Sequence, residues 1–295
     1  MEKTHLPNRK IGFIGLGKMG GGFSRHLMSK GHDLNLFDTD PRTLKGFEDT
    51  TGKLCTTVAE CVLDADFVFT SLPTPKIVKD VYLGNNGIMN SIKKNCVLID
   101  LSTIDPITSM EIENKAISIG QKYLAVTIGK GPIQAANGES PLFVGGSQDA
   151  YEMTKDILSD MGQTYSFGTV EKCISFKLIT NLIGMVNLAA LAEGFALARE
   201  CGIDPEMFKK AMDGTGAKSY QQEIRLDMLI NSDFTEKFAL QYTVKDLGLA
   251  NDIAKEKGFP LFISPVVYNI YQSVKRDGFG KLDSAAIIKF YERGD

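Results

Sequence analysis

A short apolar strand runs directly into a glycine-rich turn near the start of this 295-residue chain. The strand is predicted from Lys10 to Gly15, and the turn reads Gly15-Leu16-Gly17-Lys18-Met19-Gly20. A helix-forming stretch follows and ends at Gly31. Glycines at these spacings permit a tight turn, the close approach of a pyrophosphate and close packing of helix on strand. The pattern predicts an α/β Rossmann domain with a doubly wound, mostly parallel sheet that binds a dinucleotide through this turn.

A second predicted strand, Asp33 to Phe37, ends in Asp38. An acidic side chain at this place accepts hydrogen bonds from the ribose hydroxyls of the adenosine and repels a 2′-phosphate. Asp38 therefore favours NAD as the cofactor. Arg42, four residues later, keeps NADP open.

Alternation of strands and helices continues, and ligands bind at the carboxyl ends of strands in such sheets. Strands ending at Leu72-Pro73 and before Ser102-Thr103 make these residues candidate contacts for the cofactor and the substrate. A further strand runs into Gly129-Lys130-Gly131-Pro132. Glycines beside a cation can form an anion-binding loop, but an ordinary turn with a solvated lysine has the same sequence.

The run from Ile174 to Ala198 is about 25 residues of mostly apolar sequence without proline, which predicts one long helix. Lys177 and Asn181 are four residues apart and therefore share a face of this helix. Four residues with a charged or amide side chain interrupt the run, which argues against a membrane span; they are Lys177, Asn181, Asn187 and Glu193. The helix alone leaves the role of Lys177 open, because a lysine that only reaches water or a carboxylate gives the same pattern.

Predicted strands stop near Glu171, and helices follow to the end of the chain. We therefore predict two domains, a dinucleotide-binding domain over residues 1–170 and an all-α domain over 171–295 joined by the long helix. The wide apolar surface of that helix favours a homodimer or homotetramer built through the helical domain.

Composition narrows the class of protein further. A net charge of −3 without a basic block argues against a nucleic-acid partner, and a polar N-terminus, MEKTHLPNRK, predicts a cytoplasmic protein without a signal peptide. Five cysteines without a C-x-x-C pair predict reduced, packed thiols. The three histidines lie at positions 5, 26 and 32, so neither a histidine base nor a histidine-bound metal is expected in the second domain.

Over nearly its whole length the chain resembles the β-hydroxyacid dehydrogenase family, which includes 3-hydroxyisobutyrate dehydrogenase and tartronate semialdehyde reductase. The motifs that carry the resemblance occur in the family's order along the chain. They are GFIGLGKMG (12 to 20), GHDLNLFD (31 to 38), SLP (71 to 73), DLSTIDP (100 to 106), GESPLFVGG (138 to 146), KLITN (177 to 181) and KDLGLA (245 to 250).

The resemblance implies roles for individual residues. It makes Lys177 the catalytic lysine on the interdomain helix and Asn181 its partner one turn later. Thr103 and Lys245 would lie near the nicotinamide. Where the family usually has two asparagines in K-L-x-N-N, this chain has Thr180 and then Asn181, so only the second asparagine is kept.

The substrate loop departs from the family pattern. The family commonly reads D-A-P-V-S-G-G, whereas residues 125 to 131 here read AVTIGKG. Gly129-Lys130 resembles the Gly-Arg pair that the 3-sulfolactaldehyde reductases have at this place. KDLGLA is similar to the motif that contains their cofactor-binding lysine. Ser102 and the loop residues Gly129, Lys130 and Gly131 would then hold a small substrate with a sulfonate, a phosphonate or a second carboxylate.

The family implies hydride transfer between NAD, or NADP, and a short anionic 3-hydroxy acid or its semialdehyde. A 3-hydroxyisobutyrate dehydrogenase, a tartronate or succinic semialdehyde reductase and a 3-sulfolactaldehyde reductase all fit this description. Imine reductases and non-catalytic dinucleotide-binding modules share the fold. Retention of lysine at position 177 argues against both of these.

Overall fold

The structure, a computed structural model, describes residues 9–292. His5 and most of the polar N-terminus lie outside the described residues. The chain divides into two compact units, one ending at Lys177 and the other beginning at Leu178. The division falls within a single helix, α8 (Val170–Glu200). The predicted domain bounds of 1–170 and 171–295 stay a prediction.

The described part of the first unit contains one sheet of eight strands. The strands are β1 Lys10–Ile14, β2 Asp33–Phe37, β3 Lys53–Leu54, β4 Phe67–Thr70, β5 Val97–Asp100, β6 Lys122–Ile128, β7 Ser140–Gly146 and β8 Gly162–Gly168. Their order in the sheet is β3-β2-β1-β4-β5-β6-β7-β8. Neighbours are parallel except β6 and β7, which are antiparallel. A mostly parallel α/β sheet followed by a helical region was predicted, and this is confirmed.

Strand sequences explain this arrangement. The central strands are short runs of Phe, Val, Ile and Leu that are buried on both faces, as strands covered by helices on both sides are. Phe13 of β1 and Phe69 of β4 stack across the sheet with ring centroids 5.7 Å apart. Such continuous apolar strands pair stably only within a covered sheet.

Helices alternate with the strands of the first unit. They are α1 Lys18–Ser29, α2 Pro41–Lys45, α3 Val58–Val62, α4 Pro75–Leu83, α5 Pro106–Ser118, α6 Pro132–Asn137 and α7 Gln148–Met161. Side-chain caps begin several of them: Thr74 accepts from the Ile77 amide, and Asp105 accepts from the Thr108 amide. Proline at the first helical position of α4 and α5 reinforces these starts.

The second unit is helical throughout its described part. Besides the end of α8 it contains α9 Pro205–Met212, α10 Tyr220–Ile230, α11 Leu240–Glu256, α12 Ser264–Arg276 and the 3-10 segments Phe279–Lys281 and Ser284–Phe290. Breaks between these helices fall near residues 202–205, 213–216, 231–232 and 258–260, and all but the third contain glycine or proline.

Helix α8 is longer than the run from Ile174 to Ala198 predicted from sequence. It begins at Val170 because Val170 and Cys173 are themselves buried in the first unit. By length and composition alone α8 could cross a membrane. Its second half contributes Leu188 and Phe195 to the hydrophobic core of the second unit.

The cysteines are free thiols, and four of the five are buried. Burial raises the pKa of Cys96 to about 12, so this thiol stays protonated. Cys201 is exposed, so the prediction that all five are packed is wrong at this position. The reason is local: Cys201 lies in the turn immediately after α8, which Gly202 closes with a φ of +71°.

Candidate active site

Backbone contacts shape the glycine turn after β1. Gly15 has a φ of +89°, and a Cβ there would lie 2.3 Å from the carbonyl oxygen of Ser71. A Cβ on Gly20 would lie 2.0 Å from the carbonyl oxygen of Gly15. Both positions therefore require glycine. Gly17 differs, since a Cβ there would meet no atom of the described chain within 4 Å.

The start of α1 lies at this open position. Its N-cap is Gly17, no side chain caps it, and its first turn contains no acidic residue. The first amides of a helix attract anions, and Lys18 adds a positive charge in the same turn. Open space beside uncapped amides fits the diphosphate of a nicotinamide dinucleotide. Met19, also predicted here, is half-buried and packs against the core of the unit.

Asp38 holds the turn from the end of β2. Its Oδ2 accepts a hydrogen bond from the Leu16 amide at 2.7 Å, and its Oδ1 accepts from the Asp40 amide at 2.8 Å. A carboxylate oxygen can accept more than one hydrogen bond, so Asp38 retains capacity for ribose hydroxyls.

Arg42, the residue that kept NADP open, is bound to Asp40. The guanidinium donates to both carboxylate oxygens of Asp40, with distances of 3.1 Å and 2.9 Å. These hydrogen bonds lower the pKa of Asp40 and raise the pKa of Arg42. Arg42 would have to leave this pair to bind a 2′-phosphate.

The ends of β4 and β5 are joined through the hydroxyl of Ser102. Its Oγ accepts from the Leu72 amide at 2.9 Å and donates to Oδ1 of Asp100 at 2.5 Å. The Ser102 amide also donates to Oδ1 of Asp100, at 3.1 Å. Both donors of Ser102 are thus used within the chain, and its predicted contact with the substrate stays a prediction. Leu72 lies beside Gly15, while Pro73 is exposed at the same strand end.

Asp100 was not among the predicted site residues. It is 1% exposed, and burial raises the pKa of its carboxyl, although hydrogen bonds from Ser102 and Thr70 act in the opposite direction. Thr70 donates to Oδ1 of Asp100 at 2.7 Å and is itself bonded to the Tyr82 hydroxyl at 2.9 Å. Asp100 could have been found from the sequence, because it is an acidic residue at the end of the apolar run CVLID. Thr103 follows Ser102 and is half-buried in the same loop.

Gly129, Lys130 and Gly131, which were predicted to bind the substrate, directly follow β6. The Gly129 amide donates to the Pro141 carbonyl at 2.7 Å, and the Gly131 amide donates to Oε1 of Gln134 at 3.3 Å. Between them, Lys130 is exposed and has a φ of +62°. A side chain in this left-handed region costs on the order of 1 kcal/mol or more, and such strain often marks a functional position. The family has glycine here, for which the same backbone carries no penalty.

The first turns of α8 lie on β6 and β7, within the first unit. Cys173 donates from Sγ to the carbonyl oxygens of Phe143, at 3.0 Å, and Ala125, at 3.5 Å. A Cβ on Gly145 would lie only 2.6 Å from the Cβ of Cys173, so glycine allows this close approach. Phe176 packs edge-on against Phe143 with centroids 4.8 Å apart.

The register of these contacts gives the direction of α8. Thr169, just before the helix, lies next to Gly145, and Gly145 pairs with Ala125 of β6. Phe176, seven residues later, packs on Phe143, and Phe143 pairs with Thr127 of β6. The helix therefore advances along β6 towards the strand's carboxyl end, which Gly129 follows. Lys177 is half-buried and lies one turn beyond Cys173 on the same face of α8.

In the second unit, a buried carboxylate joins two predicted site residues. Asn181 donates from Nδ2 to Oδ2 of Asp246 at 2.6 Å, and the Lys245 ammonium lies 3.0 Å from Oδ1 of Asp246. The Asp246 side chain is 2% exposed. Asp246 lies within the KDLGLA motif but was not among the predicted site residues. Its spacing from the buried Thr243, Leu247 and Ala250 places it on the apolar face of α11, which was a usable signal.

Two family models match the chain in succession. Residues 10–175 match the NAD binding domain of 6-phosphogluconate dehydrogenase, and residues 174–291 match the NAD-binding domain of NADP-dependent 3-hydroxyisobutyrate dehydrogenase. A 2-(hydroxymethyl)glutarate dehydrogenase from Eubacterium barkeri is 30% identical over 96% of this chain and 95% of its own length.

Solved structures give the same result. A 3-hydroxyisobutyrate dehydrogenase from Salmonella typhimurium superposes with a TM-score of 0.88 at 27% identity, covering 96% of this chain and 99% of that chain. An imine reductase from Pseudomonas sp. superposes with a TM-score of 0.64 at 18% identity, covering 96% and 99% of the two chains, which is a likeness of fold alone. The dinucleotide turn, the match along both units and the named relatives together show that this chain belongs to the β-hydroxyacid dehydrogenase family of NAD(P)-dependent oxidoreductases.

Proposed function

We propose that the protein interconverts a short anionic 3-hydroxy acid and its semialdehyde, with Lys177 as the general acid and base. The bound nicotinamide supplies or accepts the hydride at its C4. In the reducing direction, Lys177 gives a proton from Nζ to the carbonyl oxygen of the substrate. In the oxidising direction, the neutral amine of Lys177 takes the proton from the substrate's hydroxyl oxygen while the hydride leaves the carbon that bears this hydroxyl.

One observation carries this proposal. Contacts of Thr169, Cys173 and Phe176 on β6 and β7 direct α8 towards the carboxyl end of β6. Lys177 and the loop at Gly129 to Gly131 both lie towards this end of the strand, within the unit that also carries the dinucleotide turn. A proton donor and a substrate loop at the carboxyl edge of the sheet are what hydride transfer requires.

Asn181 would position the reacting oxygen. Its amide nitrogen has two N–H groups, and one of them is bound to Asp246. The other can donate to the substrate's oxygen beside Lys177, because the two residues are one helical turn apart. Asp246 fixes which way the amide is turned.

Lys130 is the basis for the finer proposal about the substrate. A lysine held in the left-handed region, where the family has glycine, keeps a cation in the substrate loop at a conformational cost. Such a cation stabilises an additional or more diffuse negative charge, so a sulfonate as in 3-sulfolactaldehyde is favoured. Lysine lacks the bidentate geometry of arginine, so the Lys130 ammonium would bind a phosphonate or a second carboxylate on the substrate as well. The semialdehydes of methylmalonate, tartronate and succinate are the alternatives.

NAD is the proposed cofactor in preference to NADP. Asp38 adds negative charge where a 2′-phosphate would lie, and Arg42 is bound to Asp40. Thr103 and Lys245 are proposed to contact the nicotinamide side of the cofactor.

Assembly and location are also proposals. Large apolar side chains on α8 remain exposed in this chain, among them Ile179, Ile183 and Leu197. We expect them to be covered in a homodimer or homotetramer in the cytoplasm.

The test is a substrate panel with both cofactors. Purified protein is assayed with 3-sulfolactaldehyde, methylmalonate semialdehyde, tartronate semialdehyde, succinic semialdehyde and a cyclic imine, each with NADH and with NADPH. The proposal expects turnover of a semialdehyde acid, fastest with NADH. Turnover of the imine alone would favour the imine reductase alternative, and nicotinamide binding without any turnover would favour a binding module.

A further inference from the structure

A chain of three buried polar side chains runs through the second unit. Asp283 is fully buried and accepts from Nε of Arg225 at 2.9 Å. Arg225, which is 4% exposed, donates from Nη1 to Oε1 of Gln221 at 2.6 Å. Asp283 is held in turn by the backbone amides of Lys237 and Phe238. The position of the Gln221 amide is therefore set from the core of the unit outward.

The identity of Arg225 fixes which way this amide is turned. A guanidinium has donors only, so the oxygen of Gln221 must face Arg225 and the nitrogen must face away. That nitrogen points at α8: a Cβ built on Gly184 would lie 3.2 Å from Nε2 of Gln221. Glycine at 184 leaves room for the amide against the helix.

Gly184 lies on the face of α8 that carries the proposed catalytic groups. It is three residues after Asn181 and seven after Lys177, a spacing that aligns the three on one side of a helix. Within residues 9–292, Nε2 of Gln221 donates to no acceptor, and it is not among the fully buried polar atoms. A positioned N–H donor thus faces this side of α8 beyond Asn181.

We infer that Gln221 determines substrate specificity by donating a hydrogen bond from Nε2 to an oxygen on the group attached next to the reacting carbon. This inference rests on the proposed function, because it takes Lys177 and Asn181 to hold the reacting oxygen. A hydroxyl, carboxylate or sulfonate oxygen at this place accepts the bond. A methyl group cannot, and it leaves the amide without an acceptor in a largely buried place.

The substrates that test this differ in one group. Glycerate and 3-hydroxyisobutyrate share the primary alcohol and the carboxylate, but the first has a hydroxyl where the second has a methyl. The variant is Gln221→Glu, which keeps an oxygen for Arg225 and replaces the N–H donor by a second acceptor. Glutamate is also favourable in the first turn of α10, so the fold should tolerate it.

The measured quantity is kcat/KM for glycerate divided by kcat/KM for 3-hydroxyisobutyrate. Loss of the donor should lower this ratio about tenfold or more in Gln221→Glu. Gly184→Ala should lower it as well, since the new methyl group displaces the amide without removing it. Gln163→Glu, the same substitution at an exposed position of β8, should leave the ratio unchanged.

A ratio that stays the same in both Gln221→Glu and Gly184→Ala would overturn the inference while the proposed function stands. So would a fall in activity that is equal for the two substrates, because that is the mark of a structural role. Wild-type protein that oxidises no 3-hydroxy acid would overturn the proposed function, and the inference with it.

Discussion

Asn181 and Asp246, 65 residues apart in the sequence, are joined by a hydrogen bond of 2.6 Å in the second unit. Asp246 is almost fully buried and also lies 3.0 Å from the ammonium of Lys245. One carboxylate therefore orients two side chains that the family resemblance assigns to the substrate and the cofactor.

We expect Asp246→Asn to lower kcat/KM about tenfold or more, because the amide of Asn181 loses a charged acceptor and can turn away. Asn181→Ala should have an effect of similar size. The two substitutions remove the same interaction, so the double variant should lose little more than either single variant. A double-mutant cycle on kcat/KM measures this, and fully additive losses would show that the two residues act independently.

Ser102 should matter more for stability than for substrate binding. Ser102→Ala leaves the Leu72 amide without its acceptor and removes one of the three hydrogen bonds to the buried Asp100, which should lower the free energy of unfolding by about 1–3 kcal/mol. Urea unfolding measures the change. The accompanying rise in substrate KM should be smaller than that of Lys130→Ala. A rise in KM of equal size without loss of stability would return Ser102 to the substrate site.

Lys130 offers a way to separate charge from conformation. Both Lys130→Ala and Lys130→Gly remove the cation and should raise KM for a doubly charged substrate. Only glycine adopts the φ of +62° without strain, so Lys130→Gly should melt at a higher temperature than Lys130→Ala. Steady-state kinetics and thermal unfolding of the two variants check both parts. An unchanged KM in both would remove Lys130 from the anion site.

Cofactor choice should respond to Asp40. Asp40→Ala removes the partner of Arg42 and leaves its guanidinium available to a 2′-phosphate. We expect kcat/KM for NADPH to rise several-fold relative to NADH, since charge-assisted hydrogen bonds to a phosphate are among the stronger ones. The double variant Asp40→Ala, Arg42→Ala is the matched control and should not show the rise. Equal ratios in the two variants would mean that Arg42 has no part in the choice.

The sequence was most informative where one local pattern fixes the structure. The glycines after β1, the acid at the end of β2 and the apolar strands each determine their own surroundings, so the dinucleotide turn and the sheet could be predicted. Helix α8 was predicted too, but its start was placed at Ile174 because the burial of Val170 and the contacts of Cys173 with the sheet are not visible in a local pattern.

Pairings between distant residues could not be predicted in the same way. The sequence around Asn181 gives no indication that its side chain binds Asp246. The two hydrogen bonds that Ser102 donates to Asp100 depend on the conformation of the turn after β5. The left-handed backbone at Lys130 is equally hidden, because its neighbours are glycines that adopt many conformations. Burial decides the pairings of Asp100 and Asp246, and burial is a property of the folded chain.

Turnover by Lys177→Ala, measured together with the affinity for NADH, tests the central claim most directly. Loss of a positioned proton donor should reduce kcat by about 10²- to 10⁴-fold while the dissociation constant for NADH stays near that of the wild type. A variant that retains the parental kcat would contradict the assignment of Lys177 as the group that moves the proton.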